Sequence, residues 1–155
     1  MQNTSYNTIT VFKKLLIVFW CAWWLIALWT DVVGGIAYLN WLHADWAPAK
    51  NYPFLVESLK MYHLPNWVPA LLFLSIIGWM TIISVIFLSA VFRMFARKPY
   101  ESITDVAFFV SMGLWLAFFI ADQLIMNYEL EANHMIQASF QFLSWMFLLH
   151  NRAVR

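Results

Sequence analysis

The stretch Asp122-Gln-Leu-Ile-Met-Asn-Tyr-Glu-Leu-Glu-Ala-Asn-His-Met-Ile-Gln-Ala-Ser-Phe-Gln141 is a short acidic turn set between two apolar runs. Asp122 and Gln123 lie inside the end of the first run, and His134, Gln137 and Gln141 inside the start of the second. On a helix, positions 134, 137, 141 and 144 share one face. Unpartnered polar groups in hydrocarbon cost several kcal/mol, so such a stripe must face other protein or a wet cavity.

The flanking composition makes hydrocarbon the relevant solvent. The chain of 155 residues is short enough for one domain, and only 11% of it is charged, against roughly 25% in soluble domains. With 63% hydrophobic residues, a water-soluble body of this size could not hide its apolar surface. The expected fold is all-α, an integral membrane four-helix bundle in one domain, with spans at about 15–36, 68–92, 104–126 and 132–149, each near the ~20 residues that cross a bilayer. Lys13 and Lys14 ahead of Leu15 resemble a signal peptide. However, the run continues through four tryptophans past Asp31 without a small-x-small site, so a retained span is expected. Residues 1–10 are polar and are expected at the membrane surface. Gly34-Gly35 is placed to end the first helix early.

Charge orients the spans. Lys13, Lys14, Arg93, Arg97, Lys98, Arg152 and Arg155 fall on one side with Glu101 and Asp105. The other side holds Asp31, Asp45, Glu57, Asp122, Glu129 and Glu131 with only Lys50 and Lys60. Basic residues collect on the cytoplasmic side, which gives N-in/C-in and a bacterial-type inner (plasma) membrane. The 40–66 connection carries Pro48, Pro53 and Pro65 among aromatic residues. A short interfacial helix is expected there over 54–63, with Phe54, Leu55, Leu59 and Tyr62 on one side. Pro69 suits the first turn of the second span, and Ser102 or Thr104 is placed to cap the third, with Asp105 in its first turn.

Two carboxylates sit inside spans, Asp31 and Asp122. Intramembrane acids commonly mark a pathway, relay or counter-ion. The alternative is that both reach headgroup water and do nothing specific. Each tops an aromatic stripe, Trp20, Trp24, Ala27, Asp31 on the first span and Ser111, Trp115, Phe118, Asp122 on the third. That arrangement suits a pocket with a polar roof, or equally a packing face of a bundle. The candidate ligand or proton pocket is therefore Asp31, Asp122, His134, Gln137, Gln141, Trp24 and Trp115. The glutamines also read as amides that join helices, and Ser75, Gly78, Ser89, Gly113 and Ser144 as points of close helix approach.

His43, Asp45 and His63 are the candidates for a metal, without a recognised ligand spacing. A bis-histidine haem would need a loop histidine to pair with His134, because His150 lies at the other end of the same span. Cys21 is the only cysteine, which excludes an intrachain disulfide and dithiol quinone chemistry. Phosphate-binding and nucleophile motifs are absent. The basic Arg93–Lys98 turn is explained by topology and anionic lipid, and no nucleic-acid partner is indicated.

The run Tyr52-Pro-Phe-Leu-Val-Glu-Ser-Leu-Lys-Met-Tyr-His-Leu-Pro65, the span after Pro69 and the basic turn beyond it resemble the small DoxX-like membrane proteins, over about positions 15–98. The resemblance implies four spans with a short outer amphipathic segment, and some family members resemble the small subunit of a thiosulfate:quinone oxidoreductase. The family's Gly-rich first span and Glu-Leu-Gly-Gly-like second span are replaced here, so no functional residue is carried over. The expected function is a non-catalytic accessory subunit or small-ligand-binding protein in the lipid bilayer, beside a larger redox or transport complex, a quinone-linked one in the first reading. The alternatives are a proton- or ion-coupled carrier using Asp122, and a metal- or haem-dependent membrane oxidoreductase.

Overall fold

The computed structural model describes the backbone of residues 2–42 and 50–153, with side chains over 8–42 and 50–150. The described chain is helical: α1 (Gln2–Tyr38), α2 (Asn51–Leu59) continued by a 3-10 turn at Lys60–Tyr62, α3 (Trp67–Phe95), α4 (Glu101–Leu124) and α5 (Tyr128–Ala153). Among the described residues, three segments are long and apolar enough to cross a membrane, Thr8–Tyr38, Trp67–Phe95 and Glu101–Leu124. The protein is thus an integral membrane protein. At 1.5 Å per residue, the 26 residues of α5 would also reach across ~30 Å of hydrocarbon. What sets α5 apart is its composition, with Glu129, Glu131, Asn133, His134 and Gln137 in its first half and Gln141 at its middle.

Several boundaries differ from the sequence expectation, each for a local reason. The polar start of the chain is helical from Gln2, because neither Gly nor Pro occurs before Gly34 to interrupt it. Helix α1 then passes through Gly34-Gly35 to Tyr38. Gly35 serves close approach instead: a Cβ there would lie 3.2 Å from Cε1 of Phe73. Gly78, by contrast, has no atom within 4 Å of its Cβ position, so it does not mark a helix contact. The hydroxyls of Ser75 and Ser89 donate to carbonyls of their own helix.

Helix α2 starts three residues before the expected Phe54, with Pro53 in its first turn, where N–H groups have no intrahelical acceptor. Phe54 and Tyr62 are exposed. The side turned inward carries Tyr52, whose ring meets Tyr38 at 4.6 Å and Phe73 at 5.1 Å. At α4, Tyr100 rather than Ser102 or Thr104 is the N-cap residue. Thr104 is fully buried and donates to the Tyr100 carbonyl at 2.7 Å, while the Glu101 carboxylate accepts from the Tyr100 N–H.

Helices α1, α3 and α4 end in paired backbone bonds, and in each the second residue past the helix is left-handed without being glycine. Trp41 N–H bonds to Ile36 and Asn40 to Ala37; Lys98 bonds to Arg93 and Arg97 to Met94; Asn127 bonds to Asp122 and Met126 to Gln123. These are the 6→1 and 5→2 bonds of the Schellman motif, with φ of 58° at Asn40, 55° at Arg97 and 54° at Met126. The last one shortens the predicted 127–132 turn to three residues. Asn127 then starts α5 by accepting the Leu130 N–H at 3.1 Å on its side-chain oxygen, an N-cap.

The chain divides into two compact units, Met1–Ala22 with Val85–Arg155, and Trp23–Ser84. In the first, Phe12 meets Phe147, Phe19 and Trp20 meet Phe140, and Phe87 meets Phe108. In the second, Tyr38, Tyr52 and Phe73 join α1, α2 and α3.

A left-handed methionine costs roughly 1 kcal/mol that glycine avoids. Met126→Gly is therefore expected to raise the denaturation midpoint in detergent, and Asn127→Ala to lower stability by about 1 kcal/mol through loss of the cap. Gly35→Val, whose γ-methyls would enter the Phe73 ring, is expected to lower the midpoint, with Gly78→Ala leaving it unchanged or higher. Circular dichroism melts of the four variants check these outcomes.

Candidate functional site

Helices α4 and α5 run antiparallel across the short 125–127 turn, and polar side chains link them at nearly every turn. Near the turn, the Gln123 amide donates to both oxygens of Glu131, at 2.8 and 2.7 Å. One turn deeper, His134 Nδ1 lies 2.5 Å from Asp122 Oδ2. The His134 ring stacks on Phe118 at 4.9 Å and leans on Trp115 at 5.8 Å. Deeper still, Trp115 Nε1 donates to Gln141 Oε1 at 2.5 Å, and the Gln141 amide nitrogen donates to Ser111 Oγ at 2.9 Å. Ser111 in turn donates to the Phe108 carbonyl. At the far end Trp145 Nε1 donates to Asp105 Oδ1 at 3.1 Å, with its ring stacked over Phe108.

The ladder is dry. Gln141 and Ser111 are fully buried, and Asp122 is 2% exposed. Gln141 is both acceptor and donor, and so satisfies two groups of α4 at once. An ionised Asp122 can only accept, so its contact places a proton on His134 Nδ1 in the neutral and charged imidazole alike. The ring has no further hydrogen-bond partner among the described residues, which leaves Nε2 for a proton or a ligand.

The stripe Ser111, Trp115, Phe118, Asp122 read from the sequence is the α4 face that meets α5. Of the α5 stripe, His134 and Gln141 join it, and Ser144 is buried with its hydroxyl on the Phe140 carbonyl. Gln137 does not join: its amide donates to Asn133 on its own helix. The Trp145–Asp105 pair lies outside the sequence expectation, which places Asp105 in the first turn of α4. A tryptophan one residue beyond Ser144 gave the only signal.

Asp31 and Trp24 belong to the other unit. Trp24 is buried. Asp31, 7% exposed, accepts from Asn51 Nδ2 at 2.5 Å. Helix α1 does not end early at Gly34-Gly35 but continues for two turns beyond Asp31, and the first residue of α2 covers that carboxylate. His43 and Asp45 lie outside the described residues. His63 is exposed, with φ of 50° at the end of the 3-10 turn. Among the described residues no group of three or more His, Cys, Asp or Glu is placed to hold a metal ion.

Comparison of the chain with models of known families, with curated proteins and with solved structures finds no match.

Gln141→Leu removes the acceptor of Trp115 Nε1 and the donor to Ser111 together. Interhelical hydrogen bonds in membranes average about 0.6 kcal/mol each, so a loss of about 1 kcal/mol is expected in a detergent unfolding titration. Gln137→Leu, which leaves the ladder whole, is expected to change stability by less than half as much.

Proposed function

We propose that this is a multi-pass protein of a bacterial-type inner membrane, in which α5 forms a fourth span and both termini are cytoplasmic. In this reading α2 lies at the outer headgroup layer, where its exposed Phe54 and Tyr62 are favoured. The protein serves as a non-catalytic accessory subunit or small-ligand-binding protein. Its partner class, a larger quinone-linked redox complex, is taken from the resemblance of positions 15–98 to the DoxX-like membrane proteins.

One observation carries the proposal. Polar groups of α4 and α5 are engaged with one another, buried at Asp122, Ser111 and Gln141, and the oriented imidazole of His134 keeps one nitrogen over. Most of the buried polar chemistry thus goes into holding two helices, as suits a scaffold. The remaining nitrogen, Nε2, is a single hydrogen-bonding position for a carbonyl or hydroxyl of a small ligand, while Nδ1 is held by Asp122. A carrier with Asp122 as coupling carboxylate is the second reading, favoured by the near-complete burial of that acid one turn from a helix end.

Mass spectrometry of the protein purified in mild detergent separates the two. A larger membrane subunit or a dehydrogenase at fixed stoichiometry is the expected result. Purification alone, together with proton-coupled uptake lost in Asp122→Asn, would replace the accessory reading by the carrier. For topology, single cysteines at Glu129 and His150 in a Cys21→Ser background are expected to react from opposite sides of the membrane with an impermeant maleimide. Reaction of both from one side would remove α5 from the set of spans.

A further inference from the structure

Two grooves lie beside the polar ladder, on a face of α4 and α5 that is otherwise open. The larger, of about 380 Å³, is lined by Met112, Phe119, Met135, Ser139, Phe142 and Leu143, with Ala138 at its floor. The smaller, of about 360 Å³, is lined by Phe119, Ile120, Gln123, Leu124 and Glu131. Phe119 belongs to both, so an apolar channel leads along the hairpin to a carboxylate at the turn. Residues 112, 119, 135 and 142 each follow a ladder position, 111, 118, 134 and 141. The side chains that bond α4 to α5 therefore also fix the walls of this channel. Ser139, a small exposed residue between Met135 and Phe142, leaves room within it.

The two ends differ in chemistry. The long end is hydrocarbon, and the turn end is anionic. Glu131 is held in place by the Gln123 amide on both oxygens and keeps lone pairs for a second donor. The carboxyl end of α4, which carries partial negative charge, and Glu129 add to the same field. No Lys or Arg occurs between Lys98 and Arg152, so a headgroup whose only charge is a phosphate finds no counter-ion here.

We propose that this channel binds one membrane phospholipid whose headgroup carries a primary ammonium, with an acyl chain along Met135 and Phe142 and the ammonium on Glu131. A primary ammonium offers three N–H donors to the carboxylate, whereas a choline headgroup offers none and an anionic glycerol headgroup is repelled. The site rests on α4 and α5 lying in a membrane, and not on the accessory role or on which way the chain is oriented.

Native mass spectrometry of the full chain in detergent micelles tests it, because lipid preference there is independent of leaflet and partner. Phosphatidylethanolamine, phosphatidylcholine and phosphatidylglycerol of identical acyl chains are added in equal amounts. The expected result is a single phosphatidylethanolamine adduct, retained about fivefold over the other two, the scale of one exposed charge-assisted contact. Glu131→Gln, at a partly exposed position, is expected to bring the three lipids to parity by lowering the phosphatidylethanolamine adduct, with the phosphatidylcholine adduct unchanged. Ser139→Trp, which fills the channel, is expected to reduce all three. Circular dichroism establishes that both variants are folded. Equal retention by the native chain, preference for phosphatidylglycerol, or an undiminished preference in Glu131→Gln would overturn the proposal. So would a dimer lost in Ser139→Trp, which would assign the face to a second copy.

Discussion

The amide of Gln141 is fully buried, midway along a helix and far from either of its ends. In an apolar surrounding such a group has few places to go, and here both of its ends are taken by α4: the Trp115 indole on the oxygen and the Ser111 hydroxyl on the nitrogen. The hydrophobic effect gives no preference for one helix register over another in lipid, since the tails are as apolar as the side chains. Directional bonds do. Slipping α5 by one residue would carry His134 off Asp122 and Gln141 off Trp115 together, so these contacts specify the hairpin more than they strengthen it.

The same logic recurs in the other unit on a smaller scale. Asp31 is one of the few charged side chains within α1, and the Asn51 amide at the start of α2 meets it. The polar bond sets where α2 begins, and the rings of Tyr38, Tyr52 and Phe73 fill the space around it. Gly35 lets Phe73 approach. In both units a carboxylate near the end of a long apolar helix is matched by a side chain from the start of the next helix. That is economical, because the chain reversal itself brings the partner into reach.

Much of this was legible in the sequence because membranes simplify the reading. A charge fraction far below that of soluble domains admits few folds, and unpaired backbone excludes all but helices and closed barrels. The stripe Ser111, Trp115, Phe118, Asp122 could be found from spacing alone, since its polar members had to face protein. What could not be found was how glycine and proline would be used. Gly34-Gly35 and Pro53 are helix breakers by propensity, but packing against Phe73 and a first-turn position make both harmless. Gln137 has the right spacing and the wrong neighbour: Asn133, one turn back, takes its amide. Asn51 could not be linked to Asp31, because nothing in a linear pattern announces which loop residue will return to a given depth. The polar face of α5, whose 132–149 run reads as a span in the sequence, is concealed only where α4 lies against it.

The central claim is that the side chains across α4 and α5 are energetically coupled, and are not merely adjacent. A double-mutant cycle on Asp122 and His134, with both alanine variants and their combination unfolded in micelles at neutral pH, measures that coupling directly. The account predicts a favourable interaction of about 1–3 kcal/mol, as for residues in one buried network, with each single variant as unstable as the double. Additive effects, with no coupling beyond error, would contradict it.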